Sequence, residues 1–207
     1  MTPKECYNTL LAHKMIEMMA ARHMEAVYCE TKEDALKKTL DMIPLGSSVS
    51  FGGSATLREM GMQDALKHAD YVFMNPDEPK SAAGKDEVAH QALSADYFLM
   101  SANAISETGE LVNIDGYGNR AGALVFGPKH VIVVAGLNKV EPDLESAIKR
   151  ARTYAARMTL LIFKRDYASF TDLCDAAEKA CSQLVVTGMS MPKGRIKVIL
   201  VGESLGY

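Results

Sequence analysis

The sequence predicts a layered α/β fold with a largely parallel sheet, and two observations carry that expectation. Short apolar, β-rich runs alternate with helix-like stretches through the first half of the chain, the order that sets helices between neighbouring parallel strands. The 207 residues are 48% apolar and 24% charged, ordinary values for a globular chain with one sizeable core. Those figures exclude a wholly disordered or collagen-like chain. No apolar run approaches the roughly 20 residues that cross a bilayer, so no membrane partner is expected. With 23 Lys+Arg against 26 Asp+Glu the net charge is -3, which gives no global footprint for nucleic acid.

Residues 2–24 read as a helix, with Leu11, Met15 and Met18 on one stripe and Arg22 closing it. Methionine suits such a face as core or subunit packing; a Met-rich surface for a partner is the alternative. A strand at 24–29 precedes a helix capped by Thr31, with Asp34 three residues on and Leu36, Leu40 and Ile43 facing inward. Pro44 and Gly46 stop it. Residues 48–51 form a strand, a glycine turn follows, and a helix runs toward Gly61. Further strands are predicted at 71–74 and 97–100, separated by a loop at 75–84 and a helix at 85–95. Residues 101–122 read as turns, and the runs 123–126 and 130–135, joined by Gly127-Pro128-Lys129, as a hairpin. Pro142 opens the most regular helix, with Asp143 and Glu145 near its positive end and Lys149, Arg150, Arg152 and Arg157 toward its negative end. Leu144, Ala147, Ile148, Ala151 and Ala155 form its apolar stripe. Residues 171–184 read as a helix and 195–201 as a last strand.

Two stretches carry groups suited to chemistry. In Gly52-Gly53-Ser54-Ala55-Thr56 a strand turns into a helix, directing backbone N–H groups and two hydroxyls at one spot, as phosphates and carboxylates require. It lacks both the dinucleotide fingerprint and the phosphate-loop lysine, so no nucleotide follows. A tight turn with Ser54 as a helix cap explains it equally well. Between Asn103 and Arg120 the polar density is highest: Asn103, Glu107, Asn113, Asp115, Gly116, Gly118, Asn119 and Arg120 supply what a small oxygen-rich anion needs. Two β-turns are the plainer explanation. Glu107 or Asp115 serves as nucleophile or base only if it faces a pocket, and Lys129, Lys139 or Arg120 would neutralise an anion. The five histidines make no metal-binding pair, and no Gly-x-Ser-x-Gly elbow is present. Cys174 and Cys181 are seven apart, two helical turns, and Cys6 and Cys29 are distant; buried, inert thiols are expected for all four. Glu5 comes early, and Arg22 with His23 breaks the first apolar stretch, which is no signal-peptide layout. A cytoplasmic protein with reduced thiols is the expectation.

Taken together, Phe51-Gly52-Gly53-Ser54-Ala55-Thr56-Leu57, Ser101-Ala102-Asn103-Ala104-Ile105, the stretch from Gly109 through Asp115-Gly116 to Asn119-Arg120, Gly127-Pro128-Lys129 and Gly136-Leu137-Asn138-Lys139 resemble the LUD domain. That family is associated with bacterial lactate utilisation and includes LutC-like proteins, and the resemblance runs from about residue 4 to the end. It implies a three-layer α/β sandwich with a mostly parallel sheet, similar to the sugar-isomerase and CoA-transferase group (NagB/RpiA/CoA transferase-like). It also implies one domain over residues 1–207, with 165–190 as a small C-terminal elaboration. Carried over by position, Gly52, Gly53, Ser54 and Thr56 resemble the anion loop and the stretch from Asn103 to Arg120 the pocket wall, with Lys139 a further ligand-binding residue. Asn103 stands where related isomerases place an acid, and an amide cannot act as a base. Cys174 and Cys181 resemble the last two members of a cysteine cluster found in relatives, but Thr171 and Leu173 occupy positions expected to be Cys and Asp. No metal and no cofactor are therefore expected; stoichiometric zinc or iron in the purified protein would overturn this.

The leading function is binding of a small anionic metabolite, lactate or a phosphorylated compound, within organic-acid metabolism, with Glu107 or Asp115 as acid/base groups if the protein is catalytic. A homo-oligomer, a dimer, is expected on any reading; the rival function is a non-catalytic accessory or regulatory subunit docking to a redox (iron–sulfur) partner protein through the Met-rich first helix. A third reading is an isomerase or CoA-transferase-like enzyme.

Overall fold

The computed structural model describes residues 2–207. Helix α1 (Pro3–Ala21) starts at Thr2, whose side chain accepts from the Glu5 amide while the Glu5 carboxylate accepts from the Thr2 amide, a reciprocal capping box. Its buried face is Ala12, Met15 and Met19, one position round from the predicted stripe, with Met18 and Leu11 only half-buried. Strand β1 (Glu25–Cys29) leads to α2 (Lys32–Asp41), capped by Thr31. Then follow β2 (Ser48–Phe51), α3 (Ala55–Glu59), α4 (Met62–His68), β3 (Val72–Met74), α5 (Ala82–Ala92) and β4 (Tyr97–Met100). Helix α4 lies where no element was expected, between Gly61 in the left-handed region and Ala69.

The stretch read as turns holds two strands, β5 (Ala104–Ser106) and β6 (Leu111–Asp115), paired antiparallel around a turn where Gly109 takes a φ of 91°. Residues 123–126 are not a strand. They end helix α6 (Asn119–Phe126), because Ala121, Ala123 and Leu124 bury at helical spacing while Val125 and Phe126 are 61% and 93% exposed. A strand there would also lie antiparallel to β7 (His130–Gly136), whose two neighbours are both parallel to it. After a short 3-10 turn, β8 (Val140–Glu141) leads to Asp143, which caps the following helix just beyond Pro142. That helix comprises α7 (Leu144–Arg150), a π-helical turn (Ala151–Ala155) and α8 (Ala156–Phe163). Helix α9 (Phe170–Ala180) precedes β9 (Gln183–Thr187), a strand where the helix was expected to continue, and β10 (Ile196–Val201) follows.

The main sheet has the order β1-β10-β7-β4-β2-β3 and is parallel throughout, so the fold is α/β with helices on both faces, a three-layer sandwich. The period-2 geometry of strands divides its residues between two cores. Phe98, Met100, Val131, Val133, Val198 and Leu200 face α1 and α6 together with Met15, Met19 and Met24. Leu99, Ile132, Val134, Ile199 and Val201 face α2, α3 and α4 with Met60 and Met62. The methionines thus serve as adaptable core filling, and the first helix presents neither Met15 nor Met19 to a partner. A second sheet, β8-β5-β6-β9, packs Leu111 and Ile105 into the first of these cores and Val112 and Ile114 against Ala147 and Ala151. The segment expected as a C-terminal elaboration thereby completes the small sheet through β9 on β6. Among the described residues, no helix is long and apolar enough to cross a membrane.

Candidate functional site

Every strand of the main sheet points the same way, so the loops after β2, β4, β7 and β10 gather at one edge, where open α/β sheets place their ligand clefts. A cleft there is lined by Gly53, Ser54, Arg58, Ser101, Asn103 and Lys139, with Phe163 of α8 as part of its outer wall. It continues over Asp115, Gly116, Asn119 and Arg120 toward Cys181.

Lys139 sits at its base. The Gly136-to-Val140 turn swings the side chain under the sheet edge, leaving the residue 3% exposed. Its Nζ donates to Thr56 Oγ1 at 2.9 Å and to Ser101 Oγ at 3.0 Å. Hydroxyls are its only hydrogen-bond partners among the described residues, and no carboxylate pairs with it. Burial, then the nearby Arg150 and Arg120 guanidinium groups, pull its pKa down from 10.5 to about 7, against a smaller opposing pull from Glu59. Thr56 Oγ1 reaches the Leu205 carbonyl at 3.3 Å, so the chain's last residues close this corner. Gly206 takes a φ of 57°, and a Cβ there would lie 2.5 Å from Thr56 Oγ1.

Arg120 forms a second, tightly held group. Its Nε donates to Asp115 Oδ1 at 3.1 Å and one Nη to Asn103 Oδ1 at 2.8 Å and to the Ile114 carbonyl. Asp115 Oδ2 accepts from the Ala121 amide at 2.6 Å, which anchors the first turn of α6. Both oxygens of Asp115 are therefore engaged, and it orients Arg120 instead of standing free as a base. The guanidinium reaches the cleft only because the Arg120 stem passes over Gly52, where a Cβ would lie 2.9 Å from its Cγ and Cδ. Gly52 has its own N–H bonded to the Leu99 carbonyl at 3.0 Å. Gly53 has open space beside its Cα, and Ser54 caps α3 by accepting from the Leu57 amide.

The structure thus brings Gly53, Ser54, Asn103, Asp115, Gly116, Asn119, Arg120 and Lys139 to one cleft, with Thr56 behind Lys139 and Gly52 beneath Arg120. Gly118 is the left-handed N-cap of α6. Two expected residues lie elsewhere. Glu107 stands at the far end of β5, where the hairpin carries it away from the cleft, and its carboxylate pairs with Lys14 at 2.6 Å. Asn113 is 1% exposed inside β6, with its carboxamide unpartnered among the described residues. Ser101, Arg58 and Arg150 were not anticipated. Ser101 carried one signal, its place immediately after the buried strand run Tyr97-Phe98-Leu99-Met100. Arg150 spans β5 and the β7 turn, donating to the Asn103 carbonyl at 2.6 Å and the Asn138 carbonyl at 3.2 Å. All four cysteines are free thiols, but of the four expected to be buried only Cys29 is; Cys6 on α1 is exposed and Cys174 and Cys181 are half-buried, and burial raises the Cys29 and Cys181 pKa values. Among the described residues, no three His, Cys, Asp or Glu side chains converge as a metal site would need.

A parallel six-stranded sheet covered on both faces, with a polar cleft at its strand ends, defines a three-layer α/β protein of the open parallel-sheet class. The LUD domain profile matches residues 12–201, and the chain belongs to the LUD domain family, a family related to lactate utilisation. Among solved structures it is similar to a DUF162 family protein from Deinococcus radiodurans, with a TM-score of 0.57, 10% identity, and coverage of 94% of this chain and 98% of that one. That likeness is one of fold. No curated protein matches the chain.

Proposed function

We propose that this protein binds a small metabolite carboxylate in the strand-end cleft, as part of organic-acid metabolism. One observation carries the reading: a deeply buried lysine, flanked by two arginines, has hydroxyls and no carboxylate for partners. Burying a cation without an anion is costly, and a ligand carboxylate would remove that cost. Asn103 and Ser54 supply neutral polar groups on the same wall, and membership of a lactate-utilisation-related family fits a substrate of this size and charge.

Titration calorimetry with lactate tests the reading. Wild-type protein is expected to bind it, and Arg120→Ala to weaken binding by about tenfold, since a hydrogen bond to a charged group contributes about 1.5–3 kcal/mol. Glu107→Gln, altered outside the cleft, is expected to bind as wild type does. Failure of lactate and of other small carboxylates to bind the wild-type protein would sink the proposal.

A further inference from the structure

The cleft offers something an anion site does not need. A simple carboxylate receptor is served by a permanent charge such as arginine, whereas here the group at the base is a primary amine between two hydroxyls. Lys139 Nζ lies 2.9 Å from Thr56 Oγ1 and 3.0 Å from Ser101 Oγ, and these hydroxyls lie 3.3 Å from each other. The three atoms form a closed triangle of exchangeable protons at the floor of the cleft. Arg120, Arg150 and Glu59 are the charged groups whose fields reach the amine, and Arg58 lines the same cleft. Of these arginines, Arg150 is occupied by the Asn103 and Asn138 carbonyls and by Glu141, and Arg120 is held through Nε and one Nη by Asp115, Asn103 and the Ile114 carbonyl. Arg58 has Asp77 at 3.2 Å on one side.

From this geometry we infer that Lys139 is a carbonyl-binding amine that forms an imine with a small 2-oxo acid, the carboxylate of which lies against the cleft's guanidinium groups. This rests on the carboxylate-binding reading above and names the substrate class for the same site. Near neutral pH a large share of Lys139 is uncharged, and a desolvated lysine beside other cations is the usual way proteins prepare an amine for this step. The Nζ lone pair attacks the ketone carbon, forming a C–N bond as the carbonyl π pair moves to oxygen. The Ser101 and Thr56 hydroxyls relay a proton from nitrogen to that oxygen; the hydroxyl so formed takes a further proton from solvent and leaves as water while the nitrogen lone pair forms the C=N bond. The product is a protonated imine with its positive charge beside the substrate carboxylate. One water is released per imine, and nothing is oxidised or reduced.

The test uses the full-length protein with pyruvate as the 2-oxo acid and lactate as its carbonyl-free counterpart. Borohydride added in the presence of pyruvate should reduce the imine to a stable secondary amine. Mass spectrometry is expected to show one reduced pyruvate adduct per chain, on the peptide containing Lys139, with excess lactate slowing its formation. Lys139→Arg should give no adduct, and because the adduct is mapped on wild-type protein the conclusion does not depend on how that variant folds. If lactate and pyruvate both raise the thermal midpoint but borohydride leaves Lys139 unmodified, the imine is refuted and the carboxylate site stands. If neither ligand shifts the midpoint, both fall together. An adduct on a different lysine also refutes the assignment.

Discussion

Lys139 opposes the stability of the ligand-free fold, and its titration gives that opposition a definite sign. Its folded-state pKa is about 7 against an ordinary 10.5. Below about pH 7 the side chain is charged in both folded and unfolded chains, so the burial penalty is fully present. Between about 7 and 10.5 the unfolded chain holds the proton and the folded chain does not, so stability rises with pH through that window. At about 1.4 kcal/mol per pH unit the penalty is on the order of 5 kcal/mol. Lys139→Met is therefore expected to be more stable than wild type at pH 6 by a few kcal/mol and to lose lactate binding. Urea denaturation at pH 6 and pH 9 checks this: the wild-type midpoint should be higher at pH 9, and the variant should show a much smaller difference. A ligand carboxylate acts in the opposite sense by holding the proton on, so lactate affinity should fall as pH rises past about 7. The charged groups facing Lys139 are Arg150, Arg120 and Glu59, with Arg58 lining the same cleft. This pattern, a destabilising group kept where a ligand would need it, is the usual trade between stability and function.

At the scale of the element, helix α6 shows where local sequence and tertiary context part. Val125 and Phe126 favour a strand by side-chain type. The helix wins because Ala121 and Leu124, three residues apart, are both buried, and because Gly127 ends it: the Gly127 amide donates to the Ala123 carbonyl at 3.1 Å. A Cβ on Gly127 would lie 2.6 Å from the Ala123 Cα, a contact with backbone that cannot rotate away. Gly127→Ala is expected to cost about 2 kcal/mol and to lower the thermal midpoint by roughly 4–8 °C, as calorimetry would show. The elements that sequence reading recovered have strong local signals. Thr31 and Asp143 are caps whose side chains accept amides in their first turns, and 131–135 is a continuous apolar run. Most of those it missed have weak ones; β6 was hidden instead by the Gly109 and Asp115-Gly116 turn signals on either side of it. Strand β5 spans three residues, β8 two, and β9 carries Gln183, Leu184 and Val186 exposed at the edge of its sheet, where pairing with β6 and not composition makes it a strand. The one-position error on α1 has a similar cause: Met18 and Met19 are chemically alike, and only the packing of Met19 against the sheet tells them apart.

At the scale of the whole molecule, the order of strands explains why the last residues matter to a site built mainly from the middle of the chain. Strand β10 inserts between β1 and β7, pairing with both, and so delivers Leu205 and Gly206 to the Lys139 corner. The tail is held by the Leu205 amide on Asn138 Oδ1 at 3.1 Å and the Gly206 amide on Glu59 Oε2 at 2.8 Å. A chain ending at Glu203 retains all of β10, so it is expected to keep its circular dichroism spectrum and lose stability through the buried Leu205. With Lys139 opened to water, it should also lose its response to lactate. A truncated protein that still bound lactate as tightly as wild type would show that the tail plays no part in the site.

The amino-acid sequence by itself determined the class of fold and the positions of most strands and helices, because caps, glycine stops and two-residue alternation act over a few neighbouring residues. It also marked the glycine turn after β2 and the polar stretch ending at Arg120, each a local concentration of distinctive groups. Which of those groups share a cleft was decided only in three dimensions. Thr56 and Lys139 are 83 residues apart and Ser101 and Lys139 are 38 apart, and they meet because β2, β4 and β7 are consecutive, parallel neighbours in one sheet. The same topology sends Glu107 away along β5 and commits Asp115 to Arg120. Strand order is a property of long-range pairing, and no local pattern in the chain encodes the neighbour that burial selects.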